Sequence, residues 1–378
     1  MKFSGSILNG SLARGRGNGP GPIGFDLAAE KLNLLQVERD DGGVFVRAAA
    51  SVPYPDTCEE LIASPKALRK FVLGALKLKP FKGRNIVTCM PKNSTKIFNL
   101  KYHHHPHEDN LGAIIAGVKE KIVGEVEDYV IDYLPTRYEK KTADEHSILV
   151  AAARRDEIIS YLELLHGISL QVDAIDIGPS ALRRLVALMN PGEDYPYVLL
   201  INFGRKKTYL TVTTGLRLMM DREVDFGEQL LVAELCRALD IPEEKALHFL
   251  YHYGIDWDVN AKQEQRDDQK AKEIISTITE ILTPVFMKFV VEVNKVLIYT
   301  ASETRGGAIK KIYLLGSVAR YPMAASFLAK MFTISVEVLN PFSEFSSRSD
   351  SAIPADLDPI AGIALATGFA LRGMYDYA

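Results

Sequence analysis

The chain has little of what would announce a special chemistry. It carries three cysteines and one tryptophan in 378 residues. Cys58, Cys89 and Cys236 lie far apart, are odd in number and form no CxxC pair, so neither a disulfide framework nor a zinc site is encoded. This usage fits a reducing, cytoplasmic setting. No sign of charge dominates, because 45 Lys and Arg stand against 48 Asp and Glu, and a formal net charge of −3 gives no general attraction for nucleic acid. Direct nucleic-acid binding is not expected. An apolar signal core is missing from MKFSGSILNGSLARGRGNGPGP, whose Gly, Arg and Pro content makes residues 1–20 read as a flexible arm and not as an export signal. Uninterrupted apolar runs of bilayer length are missing too. Lys288, Glu292, Asn294 and Lys295 break the stretch from Ile281 to Thr300, and Ile360 to Leu371 reaches only about half a bilayer, so no membrane crossing is expected.

What is present is an ordinary globular composition, 47% hydrophobic and 25% charged, on a chain long enough for two or three domains. Its organisation shows in a repeat. Ile23 to Tyr54, IGFDLAAEKLNLLQVERDDGGVFVRAAASVPY, reads as three strands punctuated by turns, the second around Asp40 to Gly43. Tyr197 to Leu231, YVLLINFGRKKTYLTVTTGLRLMMDREVDFGEQLL, repeats the plan, with a turn at Gly204 to Lys207 and another at Thr214 and Gly215. The same sheet start is encoded twice. A glycine turn with free N–H groups, two lysines and a following Thr suits an anion, and it suits a plain β-hairpin equally.

Between the two meanders, a helix over Ser64 to Leu78, the strands NIVTCM and STKIFNLKY, an amphipathic helix over Asn110 to Val126 and the strand YVIDYLP make a small α+β insert. Then HSILVAAAR, a helix over Arg155 to His166, LQVDAIDI and a helix over Pro179 to Met189 alternate as in an α/β domain. After the second meander come helices over Glu228 to Leu239 and Pro242 to Tyr253. One long helix follows from about Asp268 to Thr300, with apolar residues at helical spacing and a bend expected at Pro284. IKKIYLLGSVARYPMAASFLAKMF reads as strand, glycine turn and helix, SVEVLNPF as a strand, and DPIAGIALATGFALRG as a small-residue helix.

Several polar clusters have a plain reading. Tyr102-His103-His104-His105-Pro106-His107 could be taken for a metal site, but adjacent histidines on an extended strand point to alternate faces, so a solvated loop is favoured. Arg183 and Arg184 read as exposed helix charges and KEKIVGEVEDY as a solvated face. Asp176, at a strand end, suits either a place near a metal or the capping of the next helix.

Five pieces stand in order: an Asp-bearing hairpin (Asp26), IDIGPSALRRL, the Gly204 hairpin, YLLGSVARYP and a closing Gly/Ala-rich helix. That order resembles the actin-like ATPase superfamily, whose two RNase H-like halves each begin with a phosphate-facing hairpin. More narrowly, IDIGPSALRRL, DREVDFGEQLL, VEVLNPF and IAGIALATGFALRG are similar to the type IV pilus assembly PilM family, a relative of the cell-division protein FtsA. The resemblance spans about Ile23 to Met374 and rests on the order of the pieces. It implies an α/β, actin-like fold of two RNase H-like halves with a small α+β insert subdomain and a helical subdomain in the second half. Residues 21–52, 146–192 and 355–378 would form the first half, 53–145 the insert, 193–240 and 308–354 the second half, and 241–307 the helical subdomain on the nucleotide side.

The same resemblance implies ATP with Mg2+, its phosphates pinched by backbone N–H groups of two hairpins, with an acid orienting the metal and a glycine turn admitting the base. Asp26 takes the acidic, metal-facing role and Asp176 stands near it. Gly204 makes the second turn, Thr208 offers a hydroxyl, Lys206 or Lys207 replaces lost metal charge, and Gly227 belongs to the same set. The chain makes four departures from the family pattern: Ala28 stands for Gly, Asn202 for Asp, Gly316-Ser317 for Gly-Gly, and the pair His248 and Tyr251 for the Glu and Lys that hold ribose and base. Nucleotide binding is therefore expected and hydrolysis is not. The implied partner is the cytoplasmic N-terminal peptide of a PilN-like protein on the insert, with other inner-membrane pilus assembly proteins beside it. The chain would then be cytoplasmic and peripheral to the inner membrane through partners, with homo-oligomerisation open. Two alternatives belong to other classes: an active actin-like ATPase, disfavoured by Ala28, Asn202 and Ser317, and an FtsA-like filament-forming protein, disfavoured because RGMYDYA follows the packing helix where an amphipathic membrane helix is wanted.

Overall fold

Strand-forming apolar runs, broken by a short turn at 28–30 and another after Asp40, fold the first meander into β1 (Gly19–Leu27), β2 (Lys31–Asp40) and β3 (Gly43–Pro53). These coordinates come from a computed structural model that describes residues 18–41, 43–91, 94–103, 110–136, 145–190, 196–215, 217–257, 269–304, 306–345, 360–372 and 374. Gly19 and Pro20, expected in the arm, pair with Arg39 and Glu38 as the start of β1. Two helices follow, α1 (Cys58–Ala63) and α2 (Pro65–Ala75). Thr57 caps α1 by accepting the Glu60 N–H at 3.2 Å, and Pro65 opens α2 where no N–H is needed. The apolar face of α2, Leu68, Val72 and Ala75, packs with Leu61, Phe25, Leu32 and Leu165 in one core.

Next in the chain are β4 (Asn85–Cys89), β5 (Thr95–His103), α3 (Asn110–Lys119), β6 (Tyr129–Pro135), β7 (Glu145–Arg154), α4 (Arg155–Gly167), β8 (Gln171–Asp176) and α5 (Gly178–Met189). They divide between two sheets. The first sheet has the order β3-β2-β1-β4-β8, with β1, β4 and β8 parallel. The second, β5-β7-β6, is antiparallel and begins with Thr95 directly opposite Ala153. One of its faces packs Leu100, Ile148 and Val150 against Ile114 and Val118 of α3, and the other packs Leu134, Leu149 and Ala151 against Ile177 and Leu218.

The insert boundary of 53–145 is corrected on both sides. The helices α1 and α2 and the strand β4 belong to the first sheet and its core, while β7, expected to open the first half, is the central strand of the insert sheet. A strand's own alternation tells which face is apolar and not which strand lies beside it. The amphipathic helix ends at Lys119, short of Val126, because the chain turns and forms a single 3₁₀ turn over Val126–Asp128. His104, His105 and His107 lie outside the described residues.

The later part carries β9 (Tyr197–Phe203), β10 (Thr208–Thr214), β11 (Arg217–Val224), α6 (Glu228–Leu239), α7 (Glu243–His252), α8 (Gln269–Glu303), β12 (Ile309–Gly316), α9 (Ala324–Phe332), β13 (Ser335–Val338) and α10 (Ala364–Ala370). Its sheet order is β11-β10-β9-β12-β13, with β9, β12 and β13 parallel. That is the first sheet's order repeated. The chain forms two compact units, one of residues 1–193, 214–221 and 341–378, the other of 194–213 and 222–340. By length and composition α8 could cross a membrane, but Ile275, Ile278, Leu282, Phe286, Phe289, Val293 and Val296 are buried, as in a core helix. Around it the rings of Phe203, Phe226, Phe286 and Phe289 pack together, Phe226 stacked on Phe289 at 4.4 Å.

Candidate functional site

In the first unit β1 is buried on both faces from Gly21 to Asp26, which encloses Asp26 one residue before the strand ends. Asp26 is 4% exposed and accepts a hydrogen bond from Asn33 Nδ2 at 3.0 Å. The same amide also donates to the Gly362 carbonyl at 3.1 Å, and Asn33 Oδ1 accepts from Ser51 at 2.7 Å. Burial pushes the Asp26 carboxyl up to about 6, against the pull of the Asn33 hydrogen bond and the Lys31 charge. Such a carboxylate lacks a full counter-charge. Ala28 closes the turn, its N–H donating to Lys31 O at 3.1 Å while its carbonyl accepts the Tyr54 hydroxyl at 3.0 Å. Burial, with the charges of Asp26 and Asp176, raises the Cys89 thiol well above its ordinary range, so it is held protonated and inert.

Asp176 is engaged in buried ion pairs, while α5 takes Ile177 as its N-cap and carries no side-chain cap. One oxygen accepts the Ile177 N–H at 2.8 Å, and the other is paired with Arg184 and, at 3.2 Å, with Arg372. Burial acts to raise this carboxyl, but Arg184 and Arg372, with the Ile177 amide, outweigh it and hold the group below its usual range. Arg184, expected on the surface, is instead 4% exposed, and donates to Gly368 O at 3.2 Å and to Ser180 at 3.1 Å. A Pro at the head of α5 and arginines one turn on looked like an ordinary helix start; only the sheet position of Asp176 reveals the pairing.

In the second unit, the β9–β10 turn is closed by Gly204 N–H donating to Lys207 O at 2.9 Å. The amides of Arg205 and Lys206 have no acceptor among the described residues, and the Lys206 side chain is exposed. Two groups expected to face phosphate are otherwise engaged. Thr208 is fully buried with its hydroxyl donating to Phe226 O at 2.6 Å, and Lys207 pairs with Glu223. Gly227 seats α6 directly on this turn: an added Cβ would lie 2.5 Å from Arg205 O, and the first two helix amides, Glu228 and Gln229, donate to Gly204 O and Arg205 O at 3.1 and 2.8 Å. The N-terminus of α6 is thus capped by the hairpin.

Gly316 ends β12 at φ +79°, where an added Cβ would stand 2.0 Å from Phe203 O and 2.9 Å from Asn202 Oδ1. Only glycine fits. Ser317 turns inward, its amide donating to the same Phe203 carbonyl at 2.9 Å and its hydroxyl lying 3.3 Å from it. Two positions on α7 differ in use. His248 is exposed and stacks on His252 with ring centroids 5.2 Å apart, whereas the Tyr251 hydroxyl is held between Glu228 and Arg320. Arg320 also lies over the Tyr251 ring at 4.4 Å, and Tyr321 donates to Glu228 at 2.9 Å. Glu228, Arg320 and Tyr321 were not anticipated. Their only sequence signal is adjacency, Glu228 to Gly227 and ARY to the Gly316 turn.

Taken unit by unit, the arrangement supplies an anion-compatible glycine turn with a lysine and two amides that have no acceptor among the described residues, a tight second glycine turn, and, in the other unit, the under-neutralised carboxylate of Asp26. No group of three or more metal-ligating side chains occurs among the described residues. These donors fit a phosphate better than they fit a catalytic metal centre.

A duplicated five-stranded sheet with an antiparallel meander leading into parallel strands, glycine turns at the ends of β9 and β12, and a separate three-stranded insert define an actin-like ATPase fold. The profile of the family described as type IV pilus assembly protein PilM matches residues 24–374, and the chain belongs to that family. Among solved structures the chain is similar to the PilM–PilN type IV pilus biogenesis complex, with 20% identity, 94% of this chain and 99% of that chain covered, and a TM-score of 0.73. It is also similar to the ethanolamine utilization protein EutJ from Carboxydothermus hydrogenoformans, with 14% identity, 93% and 89% covered, and a TM-score of 0.50. Among curated proteins, none matches significantly.

Proposed function

We propose that the chain is a cytoplasmic scaffold of a type IV pilus assembly machine that binds the cytoplasmic N-terminal tail of a PilN-like inner-membrane protein. Membership of the PilM family over residues 24–374 carries this reading. The insert supports this reading: β7 is its central strand, so the outer edges of β5 and β6 carry no further strand among the described residues, and an extended tail can join such an edge by strand addition. Peripheral association with the inner membrane follows from that partner, as does proximity to other pilus assembly proteins.

A nucleotide, ATP with Mg2+, is proposed as a ligand that is bound and not turned over. In the second unit the Arg205 and Lys206 amides, with Gly204 and Gly316, support phosphate and base approach; taken by itself, the first unit offers Asp26 as a carboxylate whose charge a metal would neutralise. Against hydrolysis stand Asn202 in place of a second carboxylate and the engagement of Thr208, Tyr251 and Asp176 in internal bonds. When bound, the metal would supply charge compensation for the phosphates.

Isothermal titration with a synthetic PilN-like tail tests the scaffold reading. A dissociation constant in the micromolar range, about −8 kcal/mol, is expected once the ordering cost of the peptide is included. Lys119→Glu with Lys121→Glu beside α3 should weaken binding while leaving folding intact, because exposed charges contribute little to stability. No measurable binding of the tail by the full chain would remove the reading.

A further inference from the structure

Residues 64–84, SPKALRKFVLGALKLKPFKGR, hold seven Lys and Arg and no Asp or Glu, in a chain whose net charge is −3. Lys66, Arg69 and Lys70 follow i, i+3, i+4 spacing on α2, on the face opposite the buried Leu68, Val72 and Ala75. The turn after α2 continues the series with Lys77, Lys79, Lys82 and Arg84. None of the seven side chains forms an ion pair among the described residues. Glu38 is paired with Arg47, whose Nε donates to Pro80 O at 3.1 Å.

This turn is built. Gln36, 1% exposed, donates to Lys82 O and accepts from Lys82 N–H, both at 2.8 Å, while the same amide reaches Gly21 O at 2.8 Å. Leu78 N–H donates to Ala75 O at 3.2 Å, and the Leu78 side chain is left 61% exposed between two lysines. A fixed turn thus holds an aliphatic side chain out among cations that have no ion-pair partner among the described residues.

We propose that α2 and the 76–84 turn form a docking surface for an anionic lipid bilayer, with the lysines and arginines at the headgroups and Leu78 entering the headgroup–acyl boundary. Charge complementarity sets the sign of the partner, and the aliphatic prong favours a bilayer over nucleic acid, where an exposed leucine finds no partner and stacking aromatics are the usual device. The contact is direct, so it adds to any membrane association made through a protein partner.

Vesicle flotation with the full chain tests this. Vesicles of phosphatidylcholine with about 30% phosphatidylglycerol should bind the chain, pure phosphatidylcholine should not, and raising the salt from low to about 0.5 M should release it. Lys77→Glu, Lys79→Glu and Lys82→Glu together should cut binding on the order of 100-fold, at about fivefold per basic residue. Leu78→Ser should cut it severalfold while leaving the salt dependence unchanged. The milder set Lys77→Gln, Lys79→Gln and Lys82→Gln repeats the test should charge reversal disturb folding, as read by circular dichroism. Equal binding to both vesicle types, or wild-type binding by the charge variants, overturns the proposal. So does tighter binding to a short DNA duplex than to the anionic vesicles, lost in the same variants, which would make the surface a nucleic-acid site.

Discussion

Ionised Asp26 is a liability to the folded chain, because one amide donor and a distant lysine do not replace the water that burial removes. With a folded value of about 6 above the ordinary 3.8, the native state binds more protons than the unfolded state across that window, so stability is fullest below it and falls as pH rises through 6. Asp26→Asn should therefore stabilise the nucleotide-free protein at pH 8 by up to about 3 kcal/mol, seen as a higher midpoint of thermal unfolding, and should abolish any Mg2+-dependent stabilisation by ATP. An unchanged or lower midpoint at pH 8 would remove the burial argument. Asp176 has the opposite sign. Its carboxyl is held low by Arg184 and Arg372, so its contribution is present above the ordinary value and lost as pH falls through the folded one. Asp176→Ala strands two guanidiniums and should cost about 3–5 kcal/mol in urea unfolding at neutral pH, with the difference from wild type shrinking in acid.

At the scale of elements, the glycine turn after β12 has the tightest tolerance. Gly316→Ala combines a positive φ with a 2.0 Å approach to Phe203 O, and should destabilise the second unit by at least about 2 kcal/mol. Urea unfolding reads this, and a loss under about 0.5 kcal/mol would show that the turn can relax. Most helices and strands were legible because their signals are local: the period of α8, the proline opening α5, and the doubled meander. The actin-like class and its family came from the order of those pieces. What stayed illegible was set by partners distant in the chain. The place of β7 in the insert sheet is fixed by β5 and β6, the burial of Arg184 by Asp176 and Gly368, and the engagement of Thr208 by Phe226. A hydroxyl's sequence position says that it can donate; only its neighbour says to what.

For the whole molecule, a bound and unhydrolysed nucleotide shifts the folding equilibrium by mass action. ATP with Mg2+ at 100 times its dissociation constant should add about 2.7 kcal/mol, seen as a rise in melting temperature, while phosphate release stays well below roughly one per second. Release at that rate would make the chain an enzyme. The pairing of Thr95 with Ala153 has a further consequence for how such a chain can change. Adjacent antiparallel ends mean that the three-stranded sheet and α3 enter and leave through one doorway, so a cassette of this kind can be excised and the gap bridged by a two-residue turn. Excision would bare Ile177 and Leu218, which would have to become polar for the remainder to stay soluble. By the same geometry a cassette from a relative could be exchanged at this doorway, carrying its own peptide preference onto an unaltered chassis.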